Sequence, residues 1–206
     1  VIESRGLGDV YKRQGGDTKK ALDGLGNKFE TLNLGVKPYP SCRYSHAAID
    51  GIIDLKKELD FSIDDLDDID IGLSETALNI IGYPLEDKQN PKSIVDGQFS
   101  MPFCAAVAAK SGGLKWDDYK DHLNNSDTLA LCNKIKVNPD KDAEKCCPEF
   151  MSAKVKMVVK GKTYEKFVKI PKGEPENFMK DEEFISKFKG LTCLLYTSDA
   201  ADDDVR

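Results

Sequence analysis

The chain has 206 residues, a formal net charge of −6, six Cys, two His and one Trp, with 32% charged and 40% hydrophobic residues. That is globular composition, sufficient for one domain or one and a half. No apolar run is long enough to span a bilayer, the acidic balance offers no basic face to nucleic acid, and six Cys are too sparse for a disulfide scaffold.

In chain order, the first expectation concerns the ends. Residues 4–14, which include Asp9-Val-Tyr-Lys-Arg-Gln14, and residues 193–206, which include Leu194-Leu-Tyr-Thr-Ser-Asp-Ala-Ala-Asp202, read as in-frame translations of a transposase-type sequencing adaptor. Segments of that kind are set aside before fold reasoning. The expected division is residues 1–14 as artefact, 15–192 as the natural insert, and 193–206 as artefact. On that reading the chain is a piece cut at both sides. The insert keeps five Cys, an odd number that predicts free thiols in a reducing, cytoplasmic compartment.

Residues 15–26 read as a glycine-bearing loop and Phe29–Lys37 as a short strand. Lys37-Pro38-Tyr39-Pro40 must be extended, because a residue before Pro is pushed out of the helical region. Ser41 then caps a helix to about Leu59, with Ala48, Ile49, Ile52, Leu55 and Leu59 on one stripe and Arg43, His46, Asp50 and Asp54 on the opposite one. Asp64–Ser74 reads as an acidic turn entering a strand, and Leu78–Gly82 as an apolar segment before a turn. Ser93 to Asp96 matches a capping box, but Pro102 favours a helix starting after Ser100 instead. Phe103–Lys110 is then a buried, small-residue helix stopped by Gly112. Trp116–Leu123 and Asp127–Lys134 predict two short helices. Ala153–Lys160 alternates apolar and polar positions and turns at Gly161 into Thr163–Ile170, a hairpin. Phe184, Ile185, Phe188 and Leu191 mark a last amphipathic helix. Helices mixed with an antiparallel hairpin indicate an α+β fold.

Generic motifs for phosphate, dinucleotide or nucleophile chemistry are absent from the sequence. The acidic run from Asp64 to Asp70 lacks the Gly an EF-hand loop needs. Cys146-Cys147 has no second ligand pair at zinc spacing and reads as two partly buried thiols. His122 reads as a surface residue. Lys37, Arg43, His46, Asp50 and Tyr83 remain. Arg43, His46 and Asp50 share one helical face. An anion site would use Arg43 as a two-pronged carboxylate clamp, Lys37 as a second charge, and His46 oriented by Asp50 as a proton shuttle. The plainer alternative is a solvated polar stripe.

Lys37-Pro-Tyr-Pro-Ser-Cys-Arg-Tyr-Ser-His-Ala-Ala-Ile-Asp50 resembles a signature of the MmgE/PrpD family. That family includes 2-methylcitrate dehydratase and cis-aconitate decarboxylase. The resemblance continues through Asp96-Gly-Gln-Phe-Ser-Met-Pro-Phe103, the late hairpin, and Lys172-Gly-Glu-Pro-Glu-Asn177. It covers about residues 29–190.

The resemblance implies a smaller α+β domain with a few helices of a larger all-helical domain, the last helix returning to the latter. It implies a lyase with no cofactor and no metal, acting on a small anionic polycarboxylate, with dehydration of 2-methylcitrate or a similar hydroxy-tricarboxylate as the leading reaction. A cis-aconitate-type decarboxylase, or a non-enzymatic α+β binding module, is the alternative. The family's principal catalytic His and Asp are expected upstream of this segment, so the segment alone is expected to be inactive. Lys37 matches the family's active-site lysine, and Tyr83 aligns with an active-site tyrosine across a stretch of variable length. Lys37, His46 and Tyr83 are thus the expected catalytic residues, and Lys37 and Arg43 the expected substrate-binding ones. Arg43 and His46 could instead hold the helix in place. A homodimer is expected of the complete enzyme. Helices such as Phe103–Lys110 are expected to have lost their packing partners.

Overall fold

The computed structural model describes residue 20 and residues 23–192. The expected adaptor segments, 4–14 and 193–206, lie outside the described residues. The chain divides into two compact units, residues 1–34 and 35–206. In the first, the described part contains a 3-10 turn at Glu30–Asn33. The strand expected over Phe29–Lys37 does not form, because Glu30–Asn33 coils and the following residues carry no sheet partner.

The second unit holds the sheet and the site. A 3-10 turn at Arg43–Ser45 leads into α1 (His46–Leu59). β1 (Leu66–Leu73) follows. One helical turn at Glu75–Ala77 runs into a π-helical turn at Leu78–Gly82. Then come α2 (Leu85–Gln89), α3 (Ile94–Gln98) and α4 (Met101–Ser111). α5 (Asp118–His122) and α6 (Ser126–Cys132) precede β2 (Ile135–Pro139). α7 (Lys141–Cys146), the hairpin strands β3 (Ala153–Val159) and β4 (Lys162–Val168), and α8 (Asp181–Thr192) complete the described chain.

The four strands form one mixed sheet in the order β2-β1-β3-β4. β1 lies parallel to β2 with Ile71 opposite Val137, and antiparallel to β3 with Ile69 opposite Met157. β3 and β4 pair as the expected hairpin. Leu66, Ile69, Ile71 and Leu73 of β1 and Val155 and Met157 of β3 are buried. α1 packs on β3 and β4, and α4 packs on α1, α6 and β2. The fold is α+β, with helices gathered against the sheet rather than alternating with its strands.

Four physical details depart from the sequence expectations. α1 begins at His46 rather than after Ser41, because residues 43–45 close a tighter 3-10 turn first. Ser93 and Ser100 both act as caps, Ser93 for α3 and Ser100 for α4, so the two starts weighed above coexist. β2 goes unread in the sequence because it is five residues long and ends in Pro. α4 keeps its partners within the chain: Met101–Ala109 are all fully buried. Its small residues let α1, α6 and β2 approach on several sides, so an all-round apolar helix is enclosed rather than stripped.

Candidate functional site

The site grows from the segment before α1. Pro38 and Pro40 fix φ at two alternate positions, and the chain bends over residues 38–41 rather than staying extended, because it must turn into the 3-10 turn at Arg43–Ser45. The segment is then fastened from both sides. The Val36 amide donates to the Gly173 carbonyl at 2.7 Å, and the carbonyl of Pro40 accepts from the Tyr119 hydroxyl at 2.9 Å and the Gln98 amide at 3.2 Å. Gly173 is obligatory here. It has φ +88°, and a Cβ on it would stand 1.9 Å from the Val36 carbonyl oxygen.

Arg43 is spent on neighbouring protein groups. Its Nε donates to Glu174 Oε1 at 2.8 Å, and a terminal nitrogen reaches the same oxygen at 2.5 Å. The other terminal nitrogen donates to the Lys172 carbonyl and approaches His46 Nδ1, both at 2.9 Å. Arg can only donate, so His46 Nδ1 accepts and the ring proton sits on Nε2, directed at the Ser41 carbonyl 3.4 Å away. His46 is fully buried. Burial, with the Arg43 charge beside it, pushes its pKa down to about 3. It is therefore neutral at physiological pH.

The expected His46–Asp50 shuttle does not form. Asp50 Oδ1 accepts from the Tyr39 hydroxyl at 2.6 Å, and Oδ2 accepts from the Lys172 amide at 2.7 Å. Tyr39 meets His46 edge-on, with ring centroids 5.2 Å apart. Burial raises the Asp50 pKa against the opposing effect of these two hydrogen bonds, and raises that of Tyr39 as well. Nor is the stripe solvated. His46 and Asp50 are buried, and Arg43 is largely covered by residues 172–174.

Lys37 differs from these three. It is exposed, and its Nζ donates to the Ser41 carbonyl at 3.2 Å, the same oxygen that faces His46 Nε2. α8 completes the surroundings. Glu183 pairs with the Lys172 ammonium, and Lys187 Nζ donates to the Lys37 carbonyl at 2.8 Å. The structure thus brings together Lys37, Arg43 and His46. Tyr83 lies elsewhere: 41% exposed after the π-helical turn, its hydroxyl is 3.5 Å from the Val137 carbonyl on β2. β2 is the edge strand at the far side of the sheet from β4.

Sequence reasoning attached no role to Lys172, Glu174, Glu183 or Lys187. The Lys172–Asn177 motif was a usable signal for the first two. Lys187 had none, being one of several Lys on an amphipathic helix. His122 is also not a plain surface residue. It is half-buried, with Nδ1 2.8 Å from the Thr128 hydroxyl and Nε2 3.3 Å from that of Ser111. Cys146 and Cys147 are half-buried free thiols, as expected. Among the described residues, no helix is long and apolar enough to cross a membrane.

No curated protein matches the chain. The sequence model of the MmgE/PrpD C-terminal domain matches residues 39–205, which takes in β1–β4, α1 and the loop that Arg43 grips. By that match the chain belongs to the MmgE/PrpD family.

Proposed function

We propose that residues 15–192 are the C-terminal region of a cofactor-independent lyase acting on small polycarboxylates, with dehydration of 2-methylcitrate or a similar hydroxy-tricarboxylate as the reaction. The family includes dehydratases and other lyases. The observation that carries the reading to this chain is the contrast at the α1 entrance. Arg43 and His46 are consumed by internal bonds, while the Lys37 ammonium is exposed and held only by a backbone carbonyl.

Dehydration removes a proton from carbon beside a carboxylate and expels the hydroxyl as water. Negative charge builds on that carboxylate as the C–H bond breaks, and a fixed ammonium stabilises it. Lys37 has that role, and Arg43 and His46 act as positioning residues that fix the turn from which Lys37 projects. The proton-transferring His and Asp come from the larger helical domain. α8 returns towards that domain, which agrees with the exposure of Ile185, Phe188 and Leu191.

The test is turnover by the complete enzyme containing this domain, offered 2-methylcitrate, citrate and cis-aconitate. Formation of a conjugated double bond reports dehydration, and release of carbon dioxide reports decarboxylation. Lys37→Ala is expected to lower turnover about 10²–10³-fold with the fold intact. Unchanged turnover in that variant, or no reaction with any of the three acids, overturns the reading.

A further inference from the structure

The cations near α1 fall into two groups. Arg43 is neutralised by Glu174, and Lys172 by Glu183. Lys37 and Lys187 are not: among the described residues neither has a carboxylate partner, and each donates to a backbone carbonyl. Position 183 on α8 is one turn before Lys187, where a Glu would pair with it along the helix surface. The structure gives Glu183 to Lys172 instead.

The fold also joins the segments that carry the two unneutralised lysines. They stand 150 residues apart in sequence, and Lys187 Nζ touches the carbonyl of Lys37 itself. Both charges are felt at His46, which lies beneath them as a neutral, fully buried ring and supplies no counter-charge. Two cations without a counter-charge on neighbouring segments repel each other, and a dianion that reaches both removes that cost.

We propose that Lys37 and Lys187 form a two-cation seat for two carboxylates of a polycarboxylate ligand, with Lys187 contributed by the last helix. The proposal rests on the reading of Lys37 as a ligand-binding residue and adds the second charge that a tri-anionic acid requires. Lys187 carries its own ammonium to the ligand and, through the Lys37 carbonyl, holds α8 in register with the 36–41 segment.

The experiment titrates the chain with citrate, and separately with inorganic phosphate, by calorimetry and amide NMR. Citrate is expected to bind. Lys187→Gln, which keeps a donor but loses the charge, is expected to weaken it about five- to tenfold, and Lys37→Gln by a similar factor. Lys187→Arg restores binding, and Lys189→Gln on the same helix leaves it unchanged. Amide spectra of α8 establish that the helix stays seated in Lys187→Gln. If citrate binding depends on Lys37 but is the same in Lys187→Gln as in the parent, the seat is refuted and the function stands. If only phosphate binds, and needs both lysines, the seat stands and the polycarboxylate reading falls. Binding of neither anion overturns the seat, and the function is then decided by turnover in the complete enzyme.

Discussion

His46 makes the stability of this protein depend on mild acid. In the folded chain its ring is fully buried, Nδ1 accepts from Arg43 and Nε2–H faces a carbonyl. Adding a proton to Nδ1 would set two cations 2.9 Å apart in a dry site. Its pKa accordingly falls from 6.5 to about 3. In the unfolded chain it returns to about 6.5. Between those values the unfolded state binds the extra proton, so stability is fully present above pH 6.5 and is lost as pH falls towards 3. From pH 7.5 to pH 5 the loss is about 2 kcal/mol at 1.36 kcal/mol per unit. That figure is set by the unfolded pKa and is insensitive to the folded one, provided the latter stays well below 5. With a urea slope of about 2 kcal/mol/M, the midpoint should drop by about 1 M. His122, the other histidine, is also pushed down by burial. The measurement is therefore made in a His122→Gln background, with His46→Gln added as the comparison. Asp50, whose pKa is raised, acts in the opposite sense and is common to both proteins. Equal pH slopes with and without His46 would refute the reasoning.

Other outcomes can be checked alongside. Arg43→Met should cost about 2–3 kcal/mol in urea unfolding, since it strands Glu174 and the Lys172 carbonyl; a loss below about 1 kcal/mol would mean the clamp is not used. Gly173→Ala should destabilise at least as much, because the new Cβ collides with the Val36 carbonyl, and thermal unfolding of that variant reads it directly. Tyr119→Phe leaves the Pro40 carbonyl one donor short and should cost about 1 kcal/mol, whereas Tyr83→Phe, with its long 3.5 Å contact, should stay within about 0.5 kcal/mol. Cys104 and Cys132 are buried with thiol pKa pushed up to about 12, so alkylation mapped by mass spectrometry should label the half-buried Cys42, Cys146 and Cys147 before them and reach those two only on unfolding.

The hairpin, α1 and α4 were legible because each follows from a local rule: period-two alternation around Gly161, a 3.6-residue apolar stripe, and a Ser cap followed by Pro102. β2 was not, since its membership of the sheet depends on pairing with β1, more than sixty residues upstream, and not on its own short pattern. The candidate residues before and in α1 were found from spacing and family likeness. Their use was not. Spacing puts Arg43, His46 and Asp50 on one face, but only the fold reveals that residues 172–174 cover that face and claim Arg43 and Asp50 for themselves. Charge alone could not separate an Arg neutralised by Glu174 from a Lys left without a carboxylate.

The join between Lys37 and Lys187 also fixes an order of manufacture. The ribosome releases Lys187 150 residues after Lys37. By then β1–β4 and the enclosed α4 have all been made, so the core can close before the last helix exists. A chain stopped before α8 would contain the whole sheet and α4 and still present Lys37 without Lys187. If the two lysines act as one seat, competence for a multiply charged ligand arises only once α8 has been made and docked.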